Sequence, residues 1–158
     1  MQIEIVETNN IKPELTLPPE ACYVAGELIS EIITANDING DNVELTAFGG
    51  IMGSTNSLAS FNQTSFNNPA QGVFNWSPAC ADVRNQPYQV IFKADDGLSS
   101  DPNLVDIETW EIEVYGPAPT NLTSTSNTDA SITLNWDDYS CSNASNICLL
   151  YTSDAADD

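Results

Sequence analysis

The stretch YQVIFKADDG, residues 88–97, decides the fold class because every second residue of its first seven, Tyr88, Val90, Phe92 and Ala94, belongs to one apolar face. Successive side chains of a strand point to opposite faces, so this alternation is typical of a strand that covers a core on one side. The stretch ETWEIEV, residues 108–114, repeats the pattern and turns Glu111 and Glu113 to water. Helical periodicity is weak along the whole chain, and we therefore predict an all-β protein.

Runs rich in β-branched and aromatic residues, separated by Gly, Pro, Asn and Asp, predict the positions of the strands. They lie near residues 2–7, 27–35, 43–48, 59–66, 72–76, 88–95, 107–115, 121–125 and 131–136. Trp76, Trp110 and Trp136 each fall on the apolar phase of a strand. We expect them in the core, rather than exposed as platforms for stacking on sugar rings.

An internal similarity sets the domain map. Residues 2–18 resemble residues 110–125, and Ile3 aligns with Ile112, 109 residues further on. That offset fits one β-sandwich module. We predict four segments along the chain: the last strand of a preceding module at 1–10, an immunoglobulin-like β-sandwich at 11–116, the incomplete start of a second β module at 117–147, and an eleven-residue ending at 148–158.

Composition excludes several functions. The chain has 23 acidic residues, three basic ones and a formal net charge of −20, so it repels nucleic acid and anionic membranes. It contains no histidine, which removes Ser-His-Asp and Cys-His catalysis. No nucleophile–base pair stands out, no apolar run approaches the length of a membrane span, and we expect neither an enzyme nor membrane insertion.

Four cysteines permit three pairings, and none has the spacing of a CxxC metal or redox motif. We predict a Cys22–Cys80 disulfide in an oxidising compartment, with two buried thiols as the alternative. This bridge would close a loop of nearly sixty residues and stabilise the folded state by about 4 kcal/mol in the chain-entropy model. Arg84 follows Cys80, and we expect it to fix the loop by pairing with a carboxylate such as Asp82.

Several stretches resemble known modules. ANDINGDNVELTA, GVFNWSP and YQVIFKADDG are similar to the immunoglobulin-like and cadherin-like repeats of bacterial surface proteins, over about residues 13–115. With CYVAG, CADVRNQPY, GPAPTNLT and ITLNWDDYSCSNAS, the chain resembles the repeat region of gliding-motility-associated C-terminal-domain proteins, where a fibronectin type III-like module follows. The ending CLLYTSDAADD, residues 148–158, resembles a translated sequencing adapter, and we expect it not to be biological.

That resemblance implies a non-catalytic structural or adhesive module of a large secreted or cell-surface protein. Its partners would be neighbouring modules of the same chain, surface polysaccharide or other cell-surface proteins, with export and sorting signals outside this sequence. A second hypothesis is a carbohydrate-binding accessory module of a secreted polysaccharide-degrading enzyme.

The stretch TANDINGDNVELTA, residues 34–47, suggests calcium, because Asp37, Asn39 and Asp41 are oxygen ligands clustered in one loop. Their spacing is not that of an EF-hand. The cadherin-like resemblance adds Asp95 and Asp96, since in such modules loops distant in sequence share an ion. The alternative needs no metal: Asn39-Gly40 forms a tight hairpin turn, and Asp37 caps its own backbone.

Overall fold

The protein is a β-sandwich of two four-stranded sheets, seen in a computed structural model that describes residues 9–53, 57–98, 102–128, 130–139 and 141. The strands are β1 Glu14–Thr16, β2 Cys22–Val24, β3 Ile29–Asn36, β4 Glu44–Gly49, β5 Ser60–Ser65, β6 Ala70–Trp76, β7 Tyr88–Asp95, β8 Val105–Tyr115, β9 Thr123–Ser126 and β10 Ile132–Asn135. Short 3₁₀ turns occupy Gly50–Met52 and Cys80–Asp82.

The order of the strands is that of an immunoglobulin-like sandwich. One sheet has the order β1-β3-β6-β5, and the other has the order β2-β8-β7-β4. All neighbours pair antiparallel except β2, which runs parallel to β8. Tyr88, at the start of β7, donates its hydroxyl to the Asp82 carbonyl at 2.8 Å, the bond of a tyrosine corner. The prediction of an all-β sandwich is confirmed.

The core lies between the inner faces of the two sheets. Val90, Phe92 and Ala94 of β7 are fully buried, as their alternation predicts. Trp76 and Trp110 are buried too, at 1% and 3% exposure, so their rings offer no platform to a sugar. Removing this apolar area from water supplies the main driving force of the fold.

The strand map needs two corrections. β1 and β2 were not predicted from the sequence, while the predicted strand at 2–7 lies outside the described residues. The predicted Asn39-Gly40 hairpin is wrong, because β3 pairs with β1 and β6 whereas β4 pairs with β7. The loop between β3 and β4 instead crosses from one sheet to the other.

The segment after β8 contributes one hairpin, β9 with β10. Trp136, just after β10, is 54% exposed, so the prediction that it is a core residue is wrong. Among the described strands β9 and β10 pair only with each other, and no second layer covers the apolar side chains of β10. The predicted boundaries at residues 10 and 116 and the predicted module at 117–147 stay predictions, and 148–158 lie outside the described residues.

The disulfide joins Cys80 to Cys141, so the predicted Cys22–Cys80 pairing is wrong. Cys22 lies in β2, opposite Glu113 of β8, whereas Cys80 lies in the 3₁₀ turn after β6 of the other sheet. The Cα atoms of Cys80 and Cys141 are 5.1 Å apart, within the usual range for a bridge. The alternative of two buried thiols at Cys22 and Cys80 is equally excluded, because Cys22 is exposed.

Candidate metal centre

Three segments distant in sequence meet at one end of the sandwich. The chain before β1 arrives there because Glu14 pairs with Asn36, the last residue of β3. The loop from β3 to β4 starts at the same end, and Glu44 of β4 pairs with Asp95, the last residue of β7. Strand pairing therefore brings together residues 9–13, residues 37–43, and the described residues 96–98 and 102–104.

Three carboxylates converge at this end, from Asp37, Asp41 and Asp96. Each offers one oxygen, and the three oxygens lie within 4.8 Å of one another. Two oxygens that bind one calcium ion at 2.3–2.6 Å are at most about 5 Å apart. The spacing therefore fits a single calcium ion shared by the three side chains.

Asp37 is held rigidly by the loop that carries it. Its Oδ1 accepts hydrogen bonds from the backbone N–H groups of Asn39, at 2.8 Å, and Asp41, at 3.2 Å. The amide side chain of Asn68 bonds both the N–H and the carbonyl of Asp37. Gly40 has φ of +86°, which allows the chain to turn back around the carboxylate. The predicted capping of its own backbone by Asp37 is thus present.

The second oxygen of Asp37 has no such partner. Asp37 is 1% exposed, and its Oδ2 is buried without a hydrogen bond to any described residue. A buried carboxylate oxygen left in this state is unfavourable, since native structures pair nearly all of their buried polar atoms. Oδ2 is the atom that an ion would satisfy.

Asp96 is fully buried and is fixed by the loop that follows β7. Its Oδ1 accepts the Leu104 N–H at 2.5 Å, and its Oδ2 accepts a hydrogen bond from Asn10 Nδ2 at 2.8 Å. Asn10 Nδ2 also donates to the Pro102 carbonyl at 3.0 Å. Asn10 was not predicted as a site residue, yet it ties the segment before β1 to the cluster.

Two of the five predicted metal ligands are engaged elsewhere. Asn39 accepts the Ile11 N–H at 2.9 Å and donates to the Asn9 carbonyl at 3.1 Å, so it fastens the segment before β1. Asp95 forms an ion pair with Lys93 at 2.6 Å and accepts the Gly97 N–H at 2.9 Å. The hydrogen bond from Lys93, followed by that from Gly97, lowers the pKa of Asp95. The cluster thus consists of Asp37, Asp41 and Asp96, without Asn39 and Asp95.

Electrostatics decide what this arrangement can hold. At an effective dielectric constant near 20, two unit charges about 4.8 Å apart repel by about 3.5 kcal/mol. Three carboxylates make three such pairs, and two of the three side chains are buried. A divalent cation bound between the carboxylates attracts all three and offsets this repulsion. Water and the loop carbonyls can complete the six to eight oxygen ligands that calcium prefers. The donor set therefore fits calcium.

Asp106 anchors the incoming chain beside the cluster. It accepts hydrogen bonds from the Lys12 ammonium and from the Leu15 N–H at 3.0 Å. Burial alone would raise the pKa of Asp106, but the hydrogen bonds from Leu15, Lys12 and the Ile107 backbone, together with the charge of Lys12, lower it overall. The hydrogen bond between Lys12 and Asp106 raises the pKa of Lys12. The strand register places Asp106 opposite Ala94, near the end of β7 that leads to Asp96.

At the opposite end of β7, Arg84 fixes its loop, but not through Asp82. Its guanidinium donates to the carbonyls of Gln86 and Pro87, each at 2.9 Å. Asp82 instead accepts hydrogen bonds from the Ser57 hydroxyl at 2.6 Å and from the Ala79 N–H at 2.8 Å. The predicted Arg84–Asp82 pair is therefore wrong, although the expected role of Arg84 in the loop is present.

Comparisons with known proteins identify relatives by fold. No family model matches the chain, and no curated protein does. The sialic acid binding region of the Streptococcus sanguinis SK1 adhesin, bound to 3'sLn, has a TM-score of 0.53 at 14% identity over 82% of this chain. The SrpA adhesin of Streptococcus sanguinis has a TM-score of 0.52 at 16% identity, with 82% of this chain and 92% of that chain covered.

This chain spans 45% of the SK1 region, so the likeness covers less than half of that structure. At these identities the likeness shows a shared fold, that of β-rich adhesin domains. None of the helices in the described part of the chain is long and apolar enough to cross a membrane.

Proposed function

We propose that this chain is a non-catalytic structural and adhesive module of a large bacterial cell-surface or secreted protein, and that a calcium ion stiffens its junction with the preceding segment. The finer assignment to a gliding-motility-associated protein rests on the sequence motifs. The adhesive role is supported by the fold shared with two streptococcal adhesins. The observation that carries the calcium is the buried Oδ2 of Asp37 within the three-carboxylate cluster.

The position of the cluster gives the ion its role. Asn10 donates to Asp96, and Asn39 contacts the backbone of Asn9 and Ile11. An ion between Asp37, Asp41 and Asp96 fixes both loops to which this incoming segment is bonded. A hinge at the junction is thereby converted into a stiff connection, which suits a protein whose modules are strung one after another.

Thermal unfolding of the full chain in calcium and in chelator tests the metal. A ligand that binds only the folded state at 100 times its dissociation constant stabilises that state by about 2.7 kcal/mol. We expect a higher unfolding temperature in millimolar calcium, and we expect Asp37→Asn to lose most of that increase. Scans that superimpose for the wild-type chain would overturn the calcium proposal.

Glu27→Gln is the matched control, because it removes one negative charge from an exposed side chain at the other end of β3. The eight residues of β3, about 26 Å of extended chain, lie between Glu27 and Asp37. Its unfolding temperature should rise with calcium as the wild type does. Retention of the chain on a panel of immobilised polysaccharides tests adhesion separately, and retention on none of them would leave only the structural role.

A further inference from the structure

A groove lies at the end of the sandwich opposite the metal centre, where β7 begins. Its volume is about 620 Å³, within the usual range for small-molecule sites. Its lining includes the backbone of Gly49 and Gly50 at the end of β4, together with Arg84, Tyr88 and Ile91. The groove thus combines an open backbone surface, one aromatic residue and one cation.

Arg84 is pre-positioned in this groove. Its Nε and Nη2 each donate one hydrogen bond to a loop carbonyl, and its guanidinium carbon lies 3.5 Å from the centroid of the Tyr88 ring. A guanidinium carries five N–H donors, so both donors of Nη1 and one of Nη2 remain for a ligand. Tyr88 is itself held by its hydrogen bond to the Asp82 carbonyl. Little side-chain entropy is then lost when a ligand binds.

The charges around Arg84 point to an anion. Lys12 and Lys93 each form an ion pair, with Asp106 and Asp95 respectively, whereas Arg84 pairs with no carboxylate of a described residue. The acidic residue that lines the groove, Asp82, is 5% exposed and directs its carboxylate to Ser57 and Ala79. In a chain with a net charge of −20, this groove therefore presents a cation that no carboxylate of the described residues pairs with.

We propose that this groove binds a sugar residue that carries a carboxylate. The three remaining N–H donors of Arg84 hold the carboxylate, and the sugar ring lies over Ile91 and the backbone of Gly49 and Gly50. This inference rests on the proposed adhesive function and names the ligand class and the surface that serve it. Planar bidentate recognition of a carboxylate is the geometry for which a guanidinium is suited and an ammonium is not.

Binding of two acidic probes and their neutral counterparts to the full chain tests this inference by calorimetry or saturation-transfer NMR. The probes are 3'-sialyl-N-acetyllactosamine, compared with N-acetyllactosamine, and oligogalacturonate, compared with oligogalactose. These pairs separate a terminal acidic sugar from a uronic acid polymer. We expect at least one acidic probe to bind and its neutral counterpart to bind about 10-fold to 100-fold more weakly, the range for a hydrogen bond to a charged group.

Two kinds of variant locate the site. Arg84→Gln should bring the affinity for the acidic probe down to that of the neutral one, and Arg84→Lys should recover only part of it. Because Arg84 also bonds its own loop, Ile91→Glu provides a second test by placing a repelling carboxylate on an exposed strand position. Ile107→Glu adds the same charge to an exposed residue of β8, outside the groove lining, and should bind like the wild type.

Failure of both acidic probes to bind, or binding that Arg84→Gln and Ile91→Glu leave unchanged, would overturn this inference. If neutral glycans bind and neither acidic probe does, this inference is overturned while the proposed adhesive function stands. Chelator should not change the affinity for an acidic probe, because the metal centre lies at the other end of β7. Loss of binding in chelator would place the ligand on the ion and contradict the role of Arg84.

Discussion

The Cys80–Cys141 disulfide makes a quantitative prediction about stability. The bond closes a loop with a sequence separation of 61 residues. In the chain-entropy model, a loop of that length restricts the unfolded chain enough to stabilise the folded state by about 4 kcal/mol. For a domain of this size that corresponds to roughly 10–15 °C in unfolding temperature. Cys141→Ser should lower the midpoint by this amount, and a reductant should do the same to the wild type.

The assay is calorimetric unfolding of wild type, Cys141→Ser and Cys22→Ser, with peptide mapping of the oxidised chain by mass spectrometry. Cys22→Ser leaves the bridge intact, so its midpoint should fall with reductant as the wild type's does. Peptide mapping should recover Cys80 linked to Cys141. A Cys22–Cys80 peptide, or a Cys141→Ser variant that unfolds at the wild-type temperature, would refute the pairing.

Two further substitutions probe the sandwich itself. Asp106→Asn should destabilise by about 1–3 kcal/mol, because Lys12 and the Leu15 N–H lose a charged partner. The folded pKa of Asp106 is lowered, so its contribution is present above the unfolded value of about 3.9 and is lost as pH falls through the folded value. Urea midpoints from pH 3 to 7 should therefore fall less steeply in acid for the variant; equal slopes would contradict this. Gly72→Ala should destabilise by about 1–3 kcal/mol, since a Cβ there would lie 2.2 Å from Phe61 Cζ. A Gly50→Ala variant, whose Cβ meets nothing within 4 Å, is its control in the same urea titration.

The long strands could be predicted from the sequence because their alternation is a physical consequence of facing a core on one side. β7 begins and ends at the residues that the pattern of Tyr88 to Asp95 indicates. β1 and β2 could not be predicted in this way, since each is only three residues long. β1 owes its conformation to pairing with β3, and β2 owes its conformation to pairing with β8. Pairing partners distant in sequence leave no local signal in so short a segment.

The carboxylate cluster of Asp37, Asp41 and Asp96 could be predicted only in part from the sequence. Asp37 and Asp41 share one loop, so their proximity can be read from the sequence, whereas Asp96 entered only through the cadherin-like resemblance. Asn10 was missed because its place beside Asp96 depends on the register of β1 with β3. Asp95 and Asp96 are adjacent identical residues, so the sequence cannot distinguish them. Only the direction of each side chain in the structure pairs Asp95 with Lys93 and places Asp96 in the cluster.

The two ends of the sandwich are built for different attachments. The chain enters the sandwich at the carboxylate cluster, where polar side chains and carboxylates hold residues 9–13. It leaves the sandwich at the end of β8, which lies beside the start of β7 because Tyr88 pairs with Ile112. There the Cys80–Cys141 bond fastens the following segment covalently. A cation can be withdrawn by a chelator, but a disulfide needs a reductant. If calcium binds the cluster as we propose, the entry of the chain into the sandwich is the adjustable end, whereas the Cys80–Cys141 bond, beside the Arg84 groove, does not depend on calcium.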